Sequence, residues 1–116
     1  MGLFRKLFGA KPQPEAQAKI IDLINQAAEN WNKARNLWRF NPEQAIQHSH
    51  KVVLLSVEAL HTAQNAKGVP INPSSAIFKK PSSTPNSEEA FQAHTETTRL
   101  LEDVQDQIRK LGFSIR

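Results

Sequence analysis

Apolar residues in the first third of the chain recur with a helical period. From about Glu15 to Phe40 they alternate between spacings of four and three residues, which places them on one face of an α-helix. The stripe comprises Ile20, Ile24, Ala27, Trp31, Ala34 and Trp38. Because neither Gly nor Pro interrupts this segment, the pattern predicts one continuous first helix.

A second helix is predicted to follow at once, from Pro42 to about Lys67. Asn41 suits the N-cap, Pro42 suits the first helical position, and Gln44 can complete a capping box. The inward stripe keeps the same spacing but consists of small residues: Ala45, Ser49, Val52, Ser56, Ala59, Ala63 and Ala66. Small side chains allow close approach of another helix, and we expect Trp31 and Trp38 to fill the remaining space.

The third helix is predicted to begin at Asn86 or Ser87. Asn86 can act as N-cap with Glu89 as its capping-box partner, and Gly112 is a candidate for the C-terminal cap. The apolar stripe of this segment comprises Ala90, His94, Thr97, Leu101, Val104, Ile108 and Leu111. Phe113 and Ile115 are left either to fold back on the bundle or to contact a partner.

Together the three stripes predict an all-α fold, a three-helix bundle of long helices over residues 15–116. A long Pro-rich loop, GVPINPSSAIFKKPSSTPN (residues 68–86), joins the second and third helices. Extended, it reaches about 60 Å, which exceeds the length of about 38 Å of a 25-residue helix. The third helix can therefore run parallel or antiparallel to the second, and the pattern leaves its direction open.

The chain begins with MGLFRKLFG, which predicts a short amphipathic helix within residues 1–11, separated from the bundle by a Pro hinge at 12–14. Four large apolar side chains share one face, and two cations lie opposite. We interpret them as docking residues for a protein partner or a membrane: Leu3, Phe4, Arg5, Lys6, Leu7 and Phe8. Each fully buried large side chain contributes about 1.5–3 kcal/mol, so the segment can bind a partner, an anionic membrane or its own bundle.

The amino-acid composition argues against several kinds of function. The 116-residue chain has 39% hydrophobic and 22% charged residues, close to averages for folded domains, and it has no cysteine. Disulfides, thiolate zinc sites and cysteine nucleophiles are therefore excluded, and a cytoplasmic location is expected, with membrane association as an alternative. The net charge of +4 is smaller than is typical of a dedicated DNA-binding protein.

The sequence contains no candidate catalytic residues. His48 and His50 point away from each other on a helix and cannot share a metal ion. His94 lies on an apolar stripe, where it is either a hydrogen-bonded boundary residue or a pH-sensitive group. No phosphate-binding loop or nucleophile elbow is present, so we expect no enzyme activity, no cofactor and no metal site.

One more apolar pair lies next to cations inside the Pro-rich loop. It consists of Ile77 and Phe78, followed by Lys79 and Lys80. The pair can hold the loop against the bundle or dock another protein, and both interpretations stay open.

Residues 30–71, NWNKARNLWRFNPEQAIQHSHKVVLLSVEALHTAQNAKGVPI, resemble the helical hairpin of HEPN domains, which also pairs an alanine-rich helix with a second helix rich in small residues. The resemblance implies a helical, nucleic-acid-associated protein. HEPN members that cut RNA carry Arg followed four to six residues later by His on a late helix. This chain has the reverse order, His94 and then Arg99, so the resemblance does not extend to RNase activity.

The preferred interpretation is a non-catalytic helical adaptor or small subunit that binds another protein through its N-terminal segment. One alternative is a peripheral membrane protein anchored by residues 1–9, and a second is a nucleic-acid-associated HEPN-like protein. A thin, alanine-rich core with heptad stripes also leaves homo-oligomerisation open.

Overall fold

The computed structural model describes residues 14–69 and 84–115, which form three long helices. Helix α1 spans Pro14–Leu37, α2 spans Pro42–Ala66 and α3 spans Ser87–Lys110. All regular secondary structure in these two ranges is helical, which confirms the expected all-α bundle. The predicted N-terminal helix lies outside the described residues, as does most of the Pro-rich loop.

Side-chain caps begin α2 and α3 where the sequence predicts them. Asn41 Oδ1 accepts a hydrogen bond of 3.3 Å from the backbone N–H of Gln44, and Asn86 Oδ1 accepts one of 2.9 Å from that of Glu89. Each bond satisfies a backbone donor that the first turn of a helix leaves free. Helix α1 ends at Leu37, three residues before the predicted end at Phe40, and a turn then leads into α2.

The third helix runs parallel to α2 and antiparallel to α1. At its start, Ser87 Oγ donates a hydrogen bond of 3.5 Å to the backbone carbonyl of Arg39, in the turn between α1 and α2. Beyond its end, the ring of Phe113 lies 5.0 Å from Nζ of Lys67, the C-cap of α2. The end of α2 and the start of α3 therefore lie at opposite ends of the bundle.

Helix α2 is central because its small stripe admits both neighbours. Six of the seven predicted stripe residues are buried, and Ala66 is half-buried. Both α1 and α3 pack closely on α2, while they contact each other much less. The main core comprises Ile20, Leu23, Ile24, Ala27, Val52, Ala59, Ala63, Leu101, Val104, Ile108 and Phe113. The weak contact between α1 and α3 leaves a groove between them.

Candidate functional site

The docking residues predicted from the sequence lie outside the described part of the chain. This applies to Leu3–Phe8 and to the loop residues Ile77–Lys80. Both assignments therefore stay predictions. What the structure does define is the point at which the N-terminal segment joins the first helix, at Pro14, together with the surfaces at the two ends of the bundle.

At the end of the bundle where α1 begins, the C-terminal tail folds back over the helices. Gly112, at φ +97°, reverses the chain after α3, and the Phe113 N–H donates a hydrogen bond of 3.3 Å to the Ile108 carbonyl. Positive φ is readily adopted by glycine, and this bond is the one that closes a Schellman motif. The turn buries Phe113 in the core, so the prediction of a glycine cap is confirmed and Phe113 folds back.

The tail is joined to α1 by hydrogen bonds through Gln17. The side-chain oxygen of Gln17 accepts a bond of 3.3 Å from the Ser114 N–H, while Gln17 Nε2 donates to the Ser114 carbonyl. On the other side, Arg109 Nε donates a bond of 3.3 Å to the Ile115 carbonyl. These contacts position Ile115 beside α1.

Between this tail, α1 and α3 lies an open groove of about 510 Å³, which we call the α1–α3 groove. This volume is within the range of about 300–1,000 Å³ that is common for ligand pockets. Its apolar lining is formed by Ile21, Ile24, Ala28 and Ile115, and its polar lining by Asn25, Gln105 and Ser114. The groove can receive apolar side chains, while its polar residues offer hydrogen bonds at the edges.

The opposite end of the bundle carries three aromatic residues, the half-buried Trp38 and the exposed Phe40 and Phe91, which we call the aromatic end. The rings of Trp38 and Phe91 are 4.9 Å apart, and the Arg39 guanidinium lies 4.8 Å from the Trp38 ring. Phe40, in the turn after α1, is 84% exposed, and Phe91 is 49% exposed. Aromatic and arginine side chains are enriched in protein–protein interfaces, so this end has the composition of a docking surface.

Beneath the aromatic end is a second small core of Ala45, Ile46 and Ala90, with Leu37, Trp38 and Ala93 packed against it. Trp38 thus packs against a cluster that includes the small residue Ala45 of α2. Trp31 is half-buried against the main core, but its polar contact is with α3.

His94 is buried between α1 and α3 and stacks on Trp31 with ring centroids 5.0 Å apart. Its Nδ1 is buried and has no hydrogen-bond partner among the described residues. Burial lowers the pKa of His94 below 6.5, and the Arg35 guanidinium lowers it further. The structure thus places His94 inside the bundle, without the hydrogen bond through Nδ1 that a boundary position would allow.

The other histidines do not converge on a common site. His48 Nδ1 lies 2.9 Å from Oδ1 of Asn30 on α1, and burial together with Lys51 and Lys33 lowers its pKa. His50 is exposed on α2, as Arg99 is on α3. Within residues 14–69 and 84–115, no three His, Asp or Glu side chains are arranged to hold one metal ion.

The comparisons with known proteins add no family. The chain matches no protein-family model, no curated protein and no solved structure. In the described part of the chain, no helix combines the length and the apolar character needed to cross a membrane.

The sequence pattern did not single out the aromatic end or the α1–α3 groove. Phe40 directly precedes Asn41-Pro42, where the first helix must stop, and Phe91 lies one position beyond the stripe residue Ala90. Both positions fall off the inward stripes, and that is the signal that could have identified them as surface aromatics. The groove had no comparable signal because its walls come from two helices whose relative direction was open.

Proposed function

We propose that this protein is a non-catalytic helical adaptor that binds another protein, with its N-terminal segment and its aromatic end as the two docking elements. The observation that carries the proposal is the 84% exposure of Phe40, two residues after Trp38, whose ring contacts that of the exposed Phe91. Large apolar side chains grouped at a surface mark interaction sites, whereas scattered single ones do not.

The N-terminal segment joins the bundle at the end opposite to the aromatic end. Residues 1–13 join α1 at Pro14, and the aromatic end lies beyond the last residue of the same helix. A helix of 24 residues is about 36 Å long. An adaptor of this form can contact two surfaces that are several nanometres apart, or two sites on one large partner.

Charge at the aromatic end is mixed, because exposed Glu43 and Glu88 begin α2 and α3 there while cations lie near the end of α1, so a partner with an apolar centre and charges of both signs at its edge is favoured. Lys33 and Arg35 are exposed near the end of α1, and Arg39 is exposed in the turn that follows it. Complementary charge mainly increases association rates and specificity, while the aromatic contacts supply most of the affinity.

Affinity purification of the full-length chain from its native cell tests the proposal. Two variants each change one docking element: Phe4→Ser/Phe8→Ser in the N-terminal segment, and Phe40→Ser/Phe91→Ser at the aromatic end. Leu54→Ser is the matched control, because Leu54 is an exposed apolar residue in the middle of α2. We expect a co-purifying protein that both double variants lose and the control retains. Retention by both double variants would contradict the proposal.

Sedimentation with anionic vesicles of phosphatidylcholine and phosphatidylglycerol distinguishes the membrane alternative from the adaptor function. As an adaptor, the full-length chain stays in the supernatant. Sedimentation that Phe4→Ser/Phe8→Ser abolishes would instead favour membrane anchoring by residues 1–9. Association with RNA that falls steeply with salt would favour the nucleic-acid alternative.

A further inference from the structure

We propose that the α1–α3 groove binds residues 3–8 of the same chain, so that the N-terminal segment is held on its own bundle when no partner is engaged. The occupant is thus a named segment outside the described residues, and the groove belongs entirely to the described ones. Three properties of the structure support this pairing: the apolar lining, the short connection and the charge at the rim.

The groove presents apolar surface that the bundle itself leaves uncovered. Ile21 is 40% exposed at its edge, and Ile115 is half-exposed on the tail that closes one end. The predicted amphipathic face of Leu3, Phe4, Leu7 and Phe8 is of matching character. Docking would remove apolar surface on both sides from water, which stabilises the contact.

The connection is short enough to favour docking within one molecule. Pro14 begins α1, and Ile21 lies seven residues later, or about 10 Å along the helix axis. The six residue steps from Phe8 to Pro14 span up to about 20 Å when extended. The segment can therefore reverse direction at the Pro hinge and reach the groove, at the high effective concentration that a short tether provides.

Charge at the rim of the groove complements the cations of the segment. Glu102 is exposed on α3, one turn before the groove residue Gln105. Asp106, which directly follows Gln105, is also exposed. Asp106 pairs with Lys110 at 3.1 Å, whereas Glu102 forms no salt bridge with another residue of the described ranges. Arg5 or Lys6 can pair with Glu102 when the apolar face of the segment enters the groove.

Paramagnetic relaxation measured by NMR on the full-length protein tests this inference. The chain has no cysteine, so Asn32→Cys carries a single spin label one turn beyond the groove residue Ala28. Lys51→Cys is the matched control, because Lys51 is exposed on α2 near His48, which contacts α1 at Asn30. We expect the Asn32 label to broaden the amide signals of residues 3–8 strongly and the Lys51 label to broaden them much less.

Two further substitutions identify the groove as the cause of the broadening. Ile21→Glu places a charge in the apolar lining, and Glu102→Lys reverses the charge at the rim; both residues are exposed. Each is expected to remove most of the broadening while the amide shifts of core residues such as Ile108 stay unchanged. Because Glu102→Lys alters an exposed side chain only, it keeps the test valid if Ile21→Glu disturbs folding.

Three outcomes would overturn the inference. The first is equal broadening from both labels, which is the behaviour of a free tail. The second is broadening of residues 77–80 in place of 3–8, which would make the Pro-rich loop the occupant. The third is broadening that appears only when labelled and isotope-enriched chains are mixed, which would make a second copy the occupant. The measurement uses no partner, so it can fail or succeed independently of the affinity purification that tests the adaptor function.

Discussion

The indole Nε1 of Trp31 donates a hydrogen bond of 2.7 Å to Oγ1 of Thr98 and so joins α1 to α3. The Thr98 hydroxyl in turn donates a bond of 2.8 Å to the backbone carbonyl of His94, whose ring stacks on Trp31. Elsewhere α1 and α3 contact each other little. This three-residue arrangement therefore fixes the position of α3 along α1.

We predict that Trp31→Phe lowers the free energy of unfolding by about 1–2 kcal/mol, because an aromatic ring is kept but the hydrogen bond to Thr98 is lost. Urea unfolding measures the loss. The control is the same substitution in a Thr98→Val background, where the bond no longer exists and the additional cost should be smaller. If Trp31→Phe lowered the free energy of unfolding equally with and without Thr98→Val, the hydrogen bond would contribute nothing to stability.

Stability should depend on pH through His94. Its pKa in the folded protein is below 6.5, because burial and the Arg35 guanidinium disfavour the charged ring. The unfolded chain therefore binds a proton on His94 more tightly than the folded protein does. The contribution of neutral His94 to the stability of the fold is fully present above pH 6.5 and is lost as pH falls from 6.5 toward the folded pKa.

Urea unfolding at several pH values between neutral and mildly acidic conditions measures this dependence. His94→Leu should reduce the loss of stability on acidification, and the remaining loss should come in part from His48, whose pKa is also lowered. An unchanged pH dependence in His94→Leu would contradict the assignment. An NMR titration of the His94 ring gives an independent measure of the folded pKa.

Ser56 offers a test of the small stripe of α2. Its side-chain oxygen is buried and has no hydrogen-bond partner in the described ranges, as is also the case for Ser49. Ser56→Ala removes an unsatisfied hydroxyl and improves helix propensity, so stability should rise by up to about 1 kcal/mol.

The matched control is Ala59→Leu on the same stripe, one turn away. Ala59 is fully buried, so the larger side chain has to force the helices apart, and stability should fall by about 1–3 kcal/mol. Thermal unfolding of the two variants gives opposite shifts if close helix approach is the role of the stripe. A clear loss of stability in Ser56→Ala would mean that the hydroxyl has a stabilising contact.

Gly112→Ala should destabilise the turn after α3. Its φ of +97° is unfavourable for a residue with a Cβ, whereas a Cβ placed there would lie 3.6 Å from Lys67 Nζ, an ordinary contact distance. Backbone strain is therefore the cause of the destabilisation, and the free energy of unfolding should fall by about 1–2 kcal/mol. Gly112→Asn is the control, since asparagine tolerates left-handed conformations better and should cost less. Equal stability of all three proteins would contradict this explanation.

The sequence predicted features that depend on neighbours along the chain. The caps at Asn41 and Asn86 and the buried small stripe of α2 appear where the pattern placed them. The end of α1 was placed three residues late, because the apolar period continues through Trp38 although the backbone already turns after Leu37. The helical period alone does not indicate the residue at which the chain leaves the helix and turns toward Asn41.

The candidate surfaces were harder to predict. Phe40 and Phe91 belong to different helical segments, and they lie at one end of the bundle only because α3 starts beside the turn that contains Arg39. The same arrangement brings Gln105 of α3 and Ile21 of α1 to a common groove. Neither site can be recognised without knowing which helix ends meet.

By itself the sequence determined the three helices, their inward faces, two N-terminal caps and the glycine cap after α3, because periodicity and capping act over a few residues. Only the tertiary structure decided the direction of α3, the burial of His94 without a partner for its Nδ1 in the described ranges, and the return of Phe113 to the core. The physical reason lies in the loop of residues 68–86, which is long enough for either direction. The direction of α3 is set by contacts between residues distant in sequence, such as Trp31 with Thr98 and Gln17 with Ser114.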